Sequence, residues 1–345
     1  MLLYIHIPFC DSKCNYCAFN SYTNLNHLKK KYFNALKTQF LNENPKEFET
    51  VFIGGGTPST MSINFYEKLF NLLNPYIKTT KEISIECNPN TSYEWLKHIK
   101  ELGVNRISFG VQSFNEEKLK FLNRNHSSSQ AINSIENAKK AGFKNINLDL
   151  IYSTTLDTKK LLQNDLKTAF SLPITHISAY SLTIENNTKW EGDYRKRKED
   201  EELEIWFIEK IKEKFAQYEI SNFGKVCIHN LGYWKLKEYT GIGAGAVGFK
   251  KENKTFRYYT QINVYEYIKN PTKYQYEYLS KNDLKKEKVL LGLRSIVGFD
   301  ENILNEKEKK RVEILIKENR LYKKENNIYS KNFLLADAMS AYILD

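Results

Sequence analysis

Short β-branched, apolar runs alternate with longer amphipathic stretches through the first half of the chain, and no other feature restricts the fold as much. The runs are "LLYIHI" (2–7), "TVFI" (50–53), "EISIE" (82–86), "NRISF" (105–109), "NINLDLI" (145–151) and "ITHISAY" (174–180). Their composition and length are those of strands. Between them, residues 28–41, 62–74, 115–123, 129–141 and 157–170 repeat apolar side chains at helical spacing. Alternation of this kind predicts βα units, a parallel sheet and right-handed crossovers. Six units fall short of a closed eight-stranded barrel, which leaves an open partial barrel or a doubly wound sheet.

The segments after the strands decide between the two. A cysteine group follows the first strand, "GGGTPS" the second, "ECNPN" the third, "GVQSFN" the fourth and "SLTIE" the sixth, while "DLIYS" covers the fifth. Polar or glycine-rich motifs at every carboxyl end describe one site ringed by all six strands, as in barrels. A doubly wound sheet would gather its motifs at a switch point. The expected fold is therefore α/β, a partial (β/α)6 barrel over residues 1–190. Beyond it the pattern changes. Residues 191–280 read as a barrel extension, with a helix near 199–216, then "YEISNFGKVCIHNLGYW", the glycine-rich "GIGAGAVGF" (241–249) and the strands "TFRYY" and "YQYEYL". Residues 281–345 read as a small α+β, helical, winged-helix-like domain. Helices near 283–294 and 306–319 lead to a hairpin in "RLYKKENNIYS" turning on Asn326–Asn327, and a last helix starts near 332. Such a module more often packs on its own chain than on DNA.

The stretch "HIPFCDSKCNYCAFN" (6–20) places Cys10, Cys14 and Cys17 within eight positions. Met1 runs into "LLYIHIPF" without a basic segment or a small-residue cleavage site, and no apolar run has the length of a membrane span. A cytoplasmic protein is expected. In that setting five cysteines, an odd number, predict metal or redox chemistry rather than a disulfide framework. Three thiolates spaced C-x3-C-x2-C can hold three irons of a [4Fe–4S] cube and leave the fourth iron open. Structural zinc would want a fourth Cys or His, and His6 lies upstream in a strand. Unligated thiols are the third reading. The net charge of +11 is mostly lysine and reads first as a solvated basic surface. Anionic ligands or peripheral contact with an acidic membrane are narrower readings. "YRKRKED" (194–200) turns acidic at once, so it predicts an exposed helix start and no nucleic-acid patch.

The cysteine spacing, set just after the first strand of a partial barrel, resembles the radical S-adenosylmethionine (SAM) superfamily. The resemblance implies that the amino and carboxylate groups of SAM chelate the open iron, and that an electron from the cluster cleaves the sulfonium. "GGGTPS" resembles the family's loop for the SAM methionine moiety and implicates Gly55, Gly56 and Thr57. Glu86, at the end of the third strand, is costly to bury without a cation, and by resemblance it meets the SAM amino group. Gln112, Arg124 and Asp149 suit polar duties at the same rim: Arg124 on a carboxylate, Gln112 or Asp149 on ribose hydroxyls.

Together, "YIHIPFC", "GGGTPS", "SIECNP", "RISFGVQSF" and "DLIY" resemble the oxygen-independent coproporphyrinogen III oxidase (HemN-like) branch over nearly the whole chain. Tyr4, Tyr16, Thr183 and Val247 fall where that branch lines its SAM region. Two departures set the chain apart from the oxidase. Phe19 stands where the oxidase has a further cysteine, and the chain opens three residues before Tyr4 where the oxidase has a long extension. Both match haem-carrying members of the branch, and "HNLGYW" (229–234) matches their HNxxYW motif. The resemblance implies His229 as an axial ligand of haem iron, with Tyr233 and Trp234 as flat apolar partners. A hydrogen-bonded core histidine is the other reading of His229. Cys87 and Cys227 read as small buried thiols. His126 is a brace for the SAM pocket or a solvated loop residue, and His98 and His176 are structural or exposed. The implied function is a haem chaperone holding a [4Fe–4S] cluster, SAM and haem, which hands haem to respiratory or other haem proteins. Its alternative is the oxidase that decarboxylates two propionates of coproporphyrinogen III. Radical modification of RNA or another small molecule is a third class. A homodimer is compatible with the sequence.

Overall fold

The computed structural model describes residues 1–345. Six parallel strands form its centre: β1 (Leu2–Ile7), β2 (Thr50–Gly55), β3 (Glu82–Cys87), β4 (Arg106–Gln112), β5 (Ile146–Tyr152) and β6 (His176–Ser181). They lie side by side in chain order, each parallel to the next. The crossovers carry α1 (Lys29–Asn42), α2 (Ile63–Leu73), α3 (Tyr93–Glu101), α4 (Glu116–Phe121), α5 (Ser128–Lys140) and α6 (Lys159–Ser171). Side-chain caps start most of these helices where the sequence places Ser, Thr or Asn, as at Ser62, Ser92, Asn115, Ser127 and Thr158.

Strands β3 to β6 alternate over most of their length. Ile83, Ile85, Ile107, Phe109, Leu148 and Leu150 belong to the main hydrophobic core, shared with helix residues such as Leu69, Leu96, Ile135 and Leu166. Glu82, Ser84, Glu86, Arg106, Ser108, Asn147, Asp149, His176 and Ser178 take the intervening positions. The opposite face of the sheet is therefore polar, and a network that includes Asn147 with Ser108 (2.6 Å), Asn147 with Asp149 (2.7 Å) and His176 with Asn147 (2.5 Å) satisfies much of it. A polar face inside a curved sheet is a place for a ligand.

The sheet continues past the six strands at both sides. Helix α7 (Glu201–Lys212) leads to β7 (Asn222–Gly224), which pairs antiparallel with β6. "HNLGYW" belongs to helix α8 (Ile228–Trp234). Then β8 (Tyr239–Ile242) adds parallel to β1 and is followed by β9 (Val247–Lys251) and β10 (Thr255–Thr260). Helix α9 (Val264–Lys269) and β11 (Tyr274–Tyr278) complete an eleven-stranded sheet whose two ends, β7 and β11, do not meet. The turn between β8 and β9 is so tight that a Cβ on Gly241 would stand 1.8 Å from the Val247 carbonyl oxygen, which is why the stretch is glycine-rich.

A second, smaller core, from Val289 to Ile343, unites α10 (Lys281–Leu293), α11 (Glu306–Lys317) and α12 (Ala336–Leu344) with a small sheet of β12 (Phe299–Asp300), β13 (Leu321–Lys324) and β14 (Asn327–Ser330). No helix is long and apolar enough to cross a membrane. Three differences from the sequence reading stand out. Helix α3 is absent from that reading, since its nine residues bury only Trp95, Leu96 and Ile99. The helix placed near 199–216 is the shorter Glu201–Lys212. The final hairpin turns on Glu325 and Asn326, because Glu325 takes the left-handed φ of 55° and Asn327 is already paired with Lys324.

Candidate functional site: a cysteine-lined cavity and its lateral neighbour

The loop after β1 is held by hydrogen bonds of the protein's own. Cys10 N–H donates to the Tyr22 carbonyl (3.0 Å), and Lys13 Nζ reaches the Phe19 carbonyl (2.8 Å) and Ser21 Oγ (2.7 Å). Asn20 anchors the loop's exit: its amide donates to the Ala244 and Ile262 carbonyls (both 2.9 Å), and His6 Nε2 meets its carbonyl at 2.8 Å. Cys10, Cys14 and Cys17 then line one cavity of about 560 Å³, with Tyr16 from the same loop. The "GGGTPS" motif packs on the cysteine loop from β2: Gly56 N–H donates to the Ile7 carbonyl and Thr57 N–H to the Phe9 carbonyl, both at 2.8 Å. A Cβ on Gly56 would stand 2.9 Å from Cys10 Sγ, so only glycine permits this approach. Thr57 Oγ1 donates to the same sulfur at 3.3 Å.

A carboxyl and a guanidinium face this cavity without an ion-pair partner. Glu86 receives only the Gly55 N–H, at 3.1 Å, and burial first, then Asp149, pushes its pKa up to about 8. Arg124 donates to Cys14 Sγ (3.1 Å), Asn88 Oδ1 (3.0 Å) and the Gly110 carbonyl (2.7 Å), and its buried Nε has no partner. A lone carboxyl and a lone guanidinium in one cavity match a zwitterion, and three thiols match iron. The donor set thus fits a [4Fe–4S] cluster and the amino-acid moiety of SAM. Gln112 and Asp149 line the same cavity, as do Gly55, Gly56, Thr57 and Thr183. Gln112 sits at a register shift between β4 and β5 with a φ of +69°, a strained conformation for a residue with a Cβ.

Tyr4 and Val247, also expected at the SAM site, line a second cavity of about 800 Å³ instead. It lies to the side of the first, among β1, β6, β7, β8, β9, β10, α8 and α10. Tyr233 and Trp234 line it, and so does His6. Ala18, Phe19 and Tyr180 line both cavities, so the two adjoin. Phe19 is 69 % exposed at this junction, an apolar ring held in water by a pinned backbone.

His229 does not face either cavity. It is fully buried, with Nδ1 on Thr50 Oγ1 at 2.7 Å and Nε2 on Tyr233 Oη at 2.8 Å. Burial lowers its pKa to about 3, so it is neutral, and neither ring nitrogen has a free lone pair for iron. The expected axial ligand is, in this fold, the residue that orients Tyr233. Glu82 explains why: its carboxylate accepts the Ile228 and His229 N–H groups (both 3.1 Å) and docks α8 against the sheet. His176 is likewise internal, held by Asn147 and Tyr218. His126 is buried beside Arg124 and meets the Val111 carbonyl at 3.1 Å, whereas His98 pairs with Glu67 at the surface. Cys87 and Cys227 are buried thiols, and Cys227 donates to Glu82 at 3.3 Å. The sequence reading missed Asn88 and Asn20. "ECNPN" contains the first, and the second is signalled only by its place after the cysteines.

An open six-stranded barrel with three cysteines after its first strand and a zwitterion-matched cavity beside them is the architecture of radical SAM proteins. The Radical SAM superfamily model matches residues 4–163. The chain is 36% identical to the Bacillus subtilis protein named heme chaperone HemW, over 88% of this chain and 86% of that one. It is also 36% identical to the Escherichia coli protein of the same name, over 71% and 69%. The chain belongs to the HemW family of the radical SAM superfamily. A solved structure of coproporphyrinogen III oxidase (HemN) from Escherichia coli superposes with a TM-score of 0.81, covering 99% of this chain and 89% of that one. At 20% identity it shows a shared fold.

Proposed function

We propose that this protein is a haem chaperone that binds haem in the lateral cavity and delivers it to acceptor proteins, with a [4Fe–4S] cluster and SAM in the adjoining cavity. The observation that carries this reading is the 36% identity over 88% of the chain to a relative named heme chaperone HemW. The cavity supports it: Tyr233 and Trp234 offer aromatic faces to a flat macrocycle. His229 serves by holding the Tyr233 hydroxyl. On the other side, Cys10, Cys14 and Cys17 would hold the cluster, Glu86 the ammonium of SAM, and Arg124 its carboxylate together with the charge on Cys14. When bound, the cluster supplies the electron for reductive chemistry on SAM. Tyr16, Gln112, Asp149 and Thr183 would surround the adenosine. Only the fold supports the oxidase reading, and Phe19 stands against it.

Titration of the purified protein with ferric haem, followed by the Soret band, tests the proposal. We expect stoichiometric binding, weakened about tenfold or more in Trp234→Ala, the scale of a lost aromatic contact. No Soret shift in the wild-type protein would overturn it. Anaerobic conversion of coproporphyrinogen III to protoporphyrinogen would transfer the assignment to the oxidase.

A further inference from the structure

The lateral cavity contains an acid that the binding residues named so far leave out. Glu219, in the "YEISN" segment before β7, is 1 % exposed and lines the cavity. Its Oε2 accepts the Ser221 N–H at 3.2 Å, and its Oε1 has no partner. Asn222, beside it on the cavity wall, has an unpartnered Oδ1. The segment is rigid: Ile220 N–H donates to the Arg294 carbonyl and Ile296 N–H to the Tyr218 carbonyl, both at 2.9 Å.

No cation neutralises Glu219. Arg257, in the same cavity, is committed to Glu287 at 2.6 Å. Arg294, at the end of α10, faces Glu219 but forms a two-pronged pair with Asp337 (2.6 and 2.5 Å). The other titratable groups around Glu219 are the phenols of Tyr180 on β6 and Tyr218 on its own segment. Burial raises its pKa to about 7, opposed first by the Ser221 N–H, then by the Asn222 amide, and last by Arg294. A buried carboxyl without a cation stays protonated to higher pH, so below neutrality Glu219 is mostly neutral, and a neutral carboxyl is a hydrogen-bond donor.

Resting on the haem reading, we propose that Glu219 binds as a neutral carboxyl and donates its O–H to a propionate carboxylate of the haem. No bond other than the hydrogen bond forms, and the proton stays on Glu219. Ionised Glu219 would face the propionate as a like charge, so haem binding competes with loss of that proton. Haem capture is favoured below neutrality and release above it.

The test is an equilibrium titration of the full chain with ferric protoporphyrin IX and, separately, with its dimethyl ester, at pH 6, 7 and 8. We expect wild-type affinity for the free acid to fall about tenfold from pH 6 to pH 8, as linkage to one proton requires. Glu219→Gln, whose amide donates at every pH, holds its pH 6 affinity at pH 8 and there binds more tightly than wild type, a gain that misfolding cannot produce. The dimethyl ester, which has no carboxylate, binds both proteins with no such difference. Parallel pH profiles for wild type and Glu219→Gln would overturn the inference while leaving the haem reading intact. Affinity that rises with pH and collapses in Glu219→Gln would overturn it in favour of a ligand ammonium group. Absence of binding in both proteins at every pH would remove the haem reading and this inference with it.

Discussion

At the residue scale the site is a set of unfinished interactions. Glu86 has one backbone donor and no cation, and Arg124 has neutral partners and a bare Nε. Each is expensive to bury alone; Glu86 was legible from its place at the end of a strand, whereas Arg124, in the loop after α4, was legible only through the family resemblance. The sign of the cost is testable. In the folded chain the Glu86 pKa is raised to about 8, so ionisation favours the unfolded state. That penalty is absent below the ordinary carboxylate range, grows as pH rises through it, and is complete above pH 8. Glu86→Gln is therefore expected to raise the melting temperature of the cofactor-free protein at pH 8 and leave it nearly unchanged at pH 4. The same variant should bind SAM at least tenfold more weakly by calorimetry. Equal melting shifts at both pH values would contradict the argument. Cys10→Ala, Cys14→Ala and Cys17→Ala should each lose most of about four irons per chain and the brown chromophore after anaerobic reconstitution, a result read by iron analysis. Zinc retention without iron–sulfur absorbance would refute it. For His229 the sequence left two readings open, an iron ligand and a hydrogen-bonded core histidine. The family resemblance implied the ligand, and only the fold shows Thr50 on one nitrogen and Tyr233 on the other, which favours the core histidine.

At the element scale, strands and helices follow from local pattern while their junctions depend on buried pairs. Lys118 on α4 and Asp157 after β5 meet at 2.6 Å with both side chains wholly buried. Lys118 also holds the Ile151 carbonyl, and Asp157 accepts the Thr154 N–H at 2.8 Å. Removing one partner strands the other charge in the core, so Asp157→Ala should cost about 3–5 kcal/mol in denaturant unfolding. A loss below about 1 kcal/mol would show that the pair is not what ties the two elements. Nothing in the sequence joins positions 118 and 157, because their spacing of 39 residues has no period. Helix α3 was missed for a related reason: nine residues with three buried apolar side chains make a weak signal, and packing on its neighbours completes it.

At the scale of the whole molecule, the lateral cavity is assembled from distant parts of the chain. Tyr4 comes from β1, Phe19 from the cysteine loop, Trp234 from α8 and Leu291 from α10 of the second core. The Arg257–Glu287 pair, 2.6 Å long, ties β10 to α10 along this wall. Arg257→Ala should loosen that wall and lower haem affinity several-fold. Iron content and SAM binding should stay unchanged, and stability should fall by no more than about 1 kcal/mol, since the pair is partly exposed. Loss of iron in this variant would mean that the two cavities are not separable.

The sequence by itself determined the six parallel strands and most of their crossover helices, the polar strand ends, the three cysteines and the acid at the end of β3. Each is written in local period, spacing or residue chemistry. Only the tertiary structure decided that the sheet stays open, that Tyr4 and Val247 face the lateral cavity, that His229 lies behind Tyr233, and that Glu219 is left without a cation. Those facts depend on which side of a strand meets which neighbour, and long-range packing sets that.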